Sequence, residues 1–288
     1  MCAHRLTLIG VLLAIASMAA SFRLSYAAAE QAAVDNMFVL DCGEATAPDL
    51  SQWSPGVHPG RPVTFSNNCY LLRHDSHWLL WDTGISDELA NLPEGKVVAH
   101  HVRGIVKRTL ESQLLEIGIR PHDVTHIAFS HAHFDHVGNS RLFTQARWLV
   151  QQAEYDAMFG REAAGFGFRL DLYGTLRDNP LQLLNGDHDV FGDGAVRIIA
   201  TPGHTPGHQS LFVRLPNNDA VILSGDAAHS VENFAHRRVP SFNVDADRTR
   251  ASIDKLRAVA EQTGAKILIN HDREQSATVQ RAWRSAER

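Results

Sequence analysis

"SHAHFDH", residues 130 to 136, packs His131, His133, Asp135 and His136 into six consecutive positions, with only Ala132 and Phe134 between them. On an extended backbone the side chains at i and i+2 point the same way, so His131 and His133 can reach one ion if the chain stays extended after "HIAF". Asp135 and His136 follow where the chain must turn toward a helix beginning near Val137, which aims them at a second point close by. The stretch therefore reads as the larger part of a site for two metal ions. The ordinary alternative is a solvated polar loop, and four ligand-type side chains in six positions argue against it.

Zinc takes about four ligands at roughly 2 Å from neutral imidazole and carboxylate, and a catalytic site leaves one position for water. The missing partners are at hand downstream. "TPGHTPGH" (201 to 208) offers His204 on a Pro-Gly turn, "SGDAAH" (224 to 229) offers Asp226, and "INHD" (269 to 272) offers His271. A carboxylate at 226 can bridge two ions, and ions held about 3.5 to 4 Å apart can clamp a hydroxide and aim it at an electrophile. His208 repeats the Pro-Gly-His turn but points along the next strand, so it reads as a supporting or structural residue. His58, His74, His77, His100, His101, His122, His126, His188 and His236 read as ordinary surface or core histidines.

The surrounding pattern gives these residues a scaffold. Short apolar strands are expected at 37–42, 69–74, 77–84, 124–131, 146–151, 195–204, 209–215, 220–226 and 265–272. Helices are expected at 106–118 and 245–264, each ending on a glycine. His131, His204, Asp226 and His271 then each fall at the C-terminal end of a predicted strand, and strand ends on one sheet edge can converge. No fixed-period repeat stands out, and stretches such as "WSPGVHPGRP" (53 to 62) read as loops, not linkers. One domain over 34–285, with two β-sheets flanked by helices, absorbs this order.

With 44% hydrophobic and 20% charged residues among 288, the composition excludes disorder and collagen. Residues 1–29 carry a basic start, the apolar run "LTLIGVLLAIASMAA" (6 to 20) and a small-residue site at 27 to 29, as in a secretory signal peptide. A membrane span needs roughly 20 apolar residues, and Arg23 interrupts too early. Export to the periplasm or beyond is expected, with no membrane attachment after cleavage. Removing Arg5 and Arg23 with the leader leaves 25 basic against 32 acidic side chains, a formal charge of −7, which disfavours a nucleic-acid partner. Cys42 and Cys69 remain, and their spacing is compatible with a disulfide or with two buried thiols.

The run "HAHFDH" with His204, Asp226 and His271 in that order resembles the metallo-β-lactamase superfamily, and "LLWDTG" resembles its early strand-turn motif. That resemblance implies an α/β fold, the αβ/βα sandwich, with Asp82 as a supporting carboxylate. "TPGHTPGHQSLFV", "SGDAAHSVENF", "RVPSFNVDADRTRASIDKL" and "INHDREQ" are similar to the N-acyl homoserine lactonases. By this likeness His131, His133 and His204 hold one ion, Asp135, His136 and His271 the other, and Asp226 bridges. Two Zn2+, or other divalent transition metals, are implied, with a small-molecule lactone as substrate; a homodimer is compatible with it. Asp135 is then the proton shuttle, and Phe134 a substrate contact. The better-known lactonases carry tyrosine three residues after the bridging aspartate, where this chain has His229, a candidate hydrogen-bond donor to substrate. Met158, Phe159, Phe166 and Phe168, in the glycine-punctuated "MFGREAAGFGF", are candidates for an acyl-chain trough on a mobile flap. The alternatives are a secreted β-lactamase, a thioesterase or hydrolase of other lactones, and a noncatalytic periplasmic zinc-binding protein. "SGDAAH" disfavours the first, because the zinc β-lactamases resembling this signature lack that bridging aspartate.

Overall fold

Apolar side chains occupy successive positions in the central strands, as in "YLLR" and "WLLW", which buries both faces of each strand and calls for a layer on either side. A computed structural model of the protein, describing residues 32–99 and 101–285, has that arrangement. The first sheet contains Asn36–Ala47 (β1), Val63–His74 (β2), His77–Trp81 (β3), Lys96–Ala99 (β4), Val102–Ile105 (β5), His126–Ala128 (β6), Arg147–Gln151 (β7) and Leu181–Leu184 (β8). The second contains His188–Asp189 (β9), Val196–Ala200 (β10), Gln209–Arg214 (β11), Ala220–Leu223 (β12) and Lys266–Leu268 (β13). A last strand, Ala282–Arg284 (β14), returns to pair with β1 in the first sheet.

The two sheets face each other across one core. Met37, Leu72, Leu79, Trp81 and Leu149 meet Val196, Ile198, Leu211, Val213 and Leu223 there. The opposite face of the first sheet, with Leu71, Leu80, Ile127 and Trp148, packs on Leu110 and Leu114 of the helix Leu110–Ile117. Phe212 and Ile222 of the second sheet pack on Leu256 of the long helix Ala246–Thr263. The order helix, sheet, sheet, helix is the expected sandwich.

Strand direction places the site. β3, β6 and β7 run parallel, so Asp82, the 130–136 stretch and Glu154 all follow strand ends on the same edge. β10 and β12 are both antiparallel to β11, and β13 is parallel to β12, so the chain also leaves these three strands at one edge. The sheets meet where the Gln209 N–H donates to the Ser130 carbonyl at 2.9 Å.

Several expectations are corrected. The four ligand-bearing strands stop at Ala128, Ala200, Leu223 and Leu268, so His131, His204 and His271 stand in loops, and Asp226 in the short 3-10 turn Gly225–Ala227, three or four residues beyond them. Residues 63–68, β4, β5, β8, β9 and β14 are strands that the sequence reading did not place. The helix expected near Val137 is a turn over Phe134–Val137, capped by His133 in extended conformation. Cys42 and Cys69 form a buried disulfide, with Cα atoms 5.8 Å apart. The expected signal peptide and His100 lie outside the described residues. Among the described residues no helix is long and apolar enough to cross a membrane.

Candidate metal centre

The extended backbone at His133 and the helical turn that follows separate the cluster into two aims. His131 Nε2 and His133 Nδ1 approach to 2.8 Å, and His204 Nε2 comes within 3.1 Å of the same His133 nitrogen. His136, on the turn, points its Nε2 the other way, 3.9 Å from Asp135 Oδ1; His271 Nε2 lies 3.7 Å from Asp135 Oδ2. Asp226 stands between the two groups. Its Oδ2 is 3.4 Å from His204 and 3.7 Å from His131, while its Oδ1 is 3.3 Å from His136 and 3.0 Å from His271. One carboxylate thus turns an oxygen toward each triad.

The outward nitrogens fix the ring tautomers. His133 Nε2 donates to the Phe166 carbonyl at 2.9 Å, His204 Nδ1 to Asn243 Oδ1 at 3.0 Å, and His271 Nδ1 to the Ser66 carbonyl at 2.8 Å. His136 Nδ1 donates to Asp82 Oδ2 at 3.0 Å, and His131 Nδ1 lies 3.1 Å from Ser130 Oγ, which itself donates to Asp82. Protons held on the outside leave lone pairs facing inward, the usual arrangement of imidazoles around a metal. Lone pairs that converge at 2.8 to 3.1 Å with no proton between them need a cation. Among the described residues His136 Nε2 and Asp226 Oδ1 are likewise buried without an aligned hydrogen bond, although they lie 3.3 Å apart. These donors therefore fit a pair of divalent ions.

Electrostatics agrees. Burial pushes His131, His133 and His204 below the ordinary histidine value. Burial also opposes charge on His136, but Asp226, Asp82 and Asp135 outweigh it and hold this ring well above that value. His271 is raised by Asp226 in the same way, and Asp226 itself is held well below the usual carboxylate range by His271, His229 and His136, against its burial. Without ions the second cluster retains protons beside its carboxylates, and metal binding displaces them.

Asp82 takes a left-handed backbone, φ 59°, which is uncommon outside glycine. In that conformation it accepts the Ser130 N–H at 2.7 Å and holds His136, so it supports the site without entering it. His208 does the same for Asp226: its Nε2 accepts the Asp226 N–H at 2.9 Å.

The chain matches the model of the metallo-β-lactamase superfamily over residues 62–271. It belongs to that superfamily. An N-acyl homoserine lactonase, AttM, of Azorhizobium caulinodans is 34% identical over 229 residues, 73% of this chain and 82% of that one. The N-acyl homoserine lactonase AiiA of Bacillus thuringiensis subsp. kurstaki is 33% identical over 248 residues, 84% and 95% of the two chains. A solved N-acyl homoserine lactone hydrolase, with the product N-hexanoyl-L-homoserine bound at its catalytic metal centre, superimposes with a TM-score of 0.75 at 29% identity, covering 86% of this chain and 98% of that one.

Within the superfamily fold, His133, His204, Asp135, His271 and Asp226 line a cavity of about 290 Å³, with His131 and His136 buried behind them. Phe134 lines it, as expected, and so does Phe166. Met158 and Phe168 are instead buried in the core beneath the first sheet, and Phe159 packs against that core. The segment expected as a flap is docked through the Phe166 carbonyl on His133. The sequence reading missed Trp53, Phe65, Val102 and Phe242, which form the apolar wall. They are scattered between residues 53 and 242 and no local motif joins them. It also missed Asn67 and Asn270, whose side chains hydrogen-bond each other at 3.1 Å while Asn67 donates to the Asp135 carbonyl. Asn270 precedes His271 directly, and this adjacency was the available signal. His229 lines the same cavity: its Nε2 is 3.0 Å from Asp226 Oδ2 and its ring stacks on His271.

Proposed function

We propose that the protein is a metal-dependent hydrolase that opens the lactone ring of N-acyl homoserine lactones, using His131, His133 and His204 for one zinc ion, Asp135, His136 and His271 for the other, and Asp226 as the bridge. The observation that carries this reading is the division of the Asp226 oxygens between two histidine groups on the floor of an apolar-walled cavity. Imidazole and carboxylate donors suit zinc. The related lactonases supply the substrate class.

Bound zinc would supply a Lewis acid for the lactone carbonyl and an activated water as nucleophile. The remaining chemistry belongs to the chain. Trp53, Phe65, Val102, Phe134 and Phe242 shed water from the acyl chain and hold it along the wall. His229 lines the cavity and would donate an N–H to the carbonyl oxygen as negative charge develops there, a contribution of about 2 to 4 kcal/mol for a well-placed donor. Asp135 accepts the proton released by the attacking water and passes it to the ring oxygen as the C–O bond breaks. The product is an N-acyl homoserine, with a free carboxylate and a free hydroxyl.

The exported form is the second part of this proposal. Residues 1–29 act as the leader, and the Cys42–Cys69 disulfide supports an oxidising compartment, where such bonds persist.

A pH-based hydrolysis assay tests the activity with long- and short-chain acyl homoserine lactones, a simple γ-lactone, a cephalosporin and a thioester. Acyl homoserine lactones are expected to turn over fastest. Preference for the cephalosporin or the thioester would replace this reading, and zinc binding without turnover of any of them would leave a zinc carrier.

A further inference from the structure

Among the described residues the buried carboxylates are Asp82, Glu154 and Asp226. Asp82 and Asp226 face histidines, whereas Glu154, on the first turn of the helix Gln152–Phe159, makes no ion pair among the described residues. Its two oxygens are divided between two loops. Oε1 accepts the Ala132 N–H at 3.0 Å and Oε2 the Gly207 N–H at 2.8 Å. Ala132 lies between His131 and His133. Gly207 ends the turn that carries His204 and precedes His208, the residue that holds the Asp226 backbone.

Contact this close is built in. A Cβ on Gly207 would lie 2.3 Å from the Glu154 backbone nitrogen, so only glycine admits the helix here. Burial pushes the Glu154 carboxyl up to about 7, so an ionisable group is kept where an uncharged one would be easier to bury.

We propose that Glu154 is a positioning residue for the first triad, clipping the His131–His133 loop to the His204 loop and so setting the spacing of the three imidazoles. It touches neither substrate nor ion and acts through two backbone amides. Two-loop clips of this kind preorganise a metal site before the ion arrives. The inference rests on the ligand assignment proposed above, and the test separates the two.

Glu154→Gln keeps the size of the side chain but can accept only one N–H, turning its NH2 against the other. Zinc per chain is measured during stepwise chelator titration of the wild type and the variant, together with Tm of the zinc-loaded and zinc-free forms. The variant is expected to release one of its two ions at about 10- to 100-fold lower chelator strength. Its zinc-free Tm falls by roughly a few degrees because one buried N–H loses its acceptor, and its gain in Tm on zinc addition shrinks as well, so the loss is larger in the zinc-loaded form. A wild-type release profile, or equal Tm losses in both forms, would overturn the proposal in favour of plain structural support. If the variant does not fold, hydrogen exchange in wild-type protein labelled with 15N-alanine and 15N-glycine decides. The Ala132 and Gly207 amides are expected to exchange as slowly as those of β11, and exchange at the rate of exposed loops would refute the clip. A wild type that binds fewer than two ions overturns the ligand assignment itself.

Discussion

Each inward-facing imidazole is held by a partner on its far side, so a single ligand can be removed without freeing the rest. His204→Ala takes away one of three nitrogens in the first triad and leaves Asn243 without its donor. Loss of metal from that triad and abolition of lactone turnover are expected, read by elemental analysis and the hydrolysis assay; retained activity would contradict the assignment. His229→Ala should behave differently. Both ions stay, and kcat/KM falls roughly ten- to a thousand-fold, because a transition-state donor is lost. A variant that also loses metal would make His229 a ligand, since Asp226, His229 and His271 stand close enough to share an ion. Far from the site, burial, with help from His77 and Arg147, lowers His126 from 6.5 to about 4. The unfolded chain therefore binds the extra proton between those values, so this residue's contribution is present above pH 6.5 and is lost as pH falls toward 4. In urea unfolding of zinc-free protein, His126→Gln should lose less stability than wild type between pH 7 and pH 4.5, and parallel losses would contradict it.

Turns and helix ends carry the ligands, and here the elements pack backbone against backbone. Gly203 has φ 138°, and a Cβ there would lie 2.3 Å from the Thr249 backbone nitrogen in the first turn of the helix Ala246–Thr263. Gly203→Ala combines left-handed strain with overpacking and should cost roughly 2 to 4 kcal/mol in urea unfolding; a loss below that range would mean the helix can yield. Helix ends were legible in the sequence because the stop signals are local. Both Gly118 and Gly264 adopt left-handed caps after the expected helices, and Asp245 caps the second, accepting the Arg248 N–H. Strand ends were not. The apolar runs through Ser130, Thr201 and Ser224 continue past the last sheet pairing, so pattern alone extends the strands into the ligand loops. The polar half of β2, "VTFSNN", shows no strand pattern for the opposite reason: its Ser66, Asn67 and Asn68 serve the site and do not build a core. The hairpin of β4 and β5 is only four residues on each side, too short for a periodicity signal.

For the molecule as a whole, the ligand set was legible because it clusters in "HAHFDH" and repeats at later strand ends, whereas the cavity wall was not. Phe65 and Val102 stand on two strands of the first sheet, Trp53 in the connection between β1 and β2, and Phe242 in the loop before the long helix, so they become neighbours only in the folded chain. The disulfide shows the same limit: cysteine spacing left it open, and the antiparallel register of β1 and β2 around the Gly43 bulge brings the two sulfurs together. Cross-linking positions 27 apart should stabilise the fold by about 3.5 kcal/mol through the unfolded chain, so Cys42→Ser with Cys69→Ser should lower unfolding free energy by that order in zinc-free protein. An unchanged midpoint would show that the cross-link adds nothing to packing already present. Seven side chains carried by loops and turns of both sheets are placed to grip two cations across Asp226. Anomalous diffraction at the zinc edge from zinc-loaded crystals tests it directly. Two peaks about 3.5 to 4 Å apart are expected, one beside each Asp226 oxygen; a single peak, or a pair with Asp226 outside it, would rule out a two-ion site bridged by Asp226.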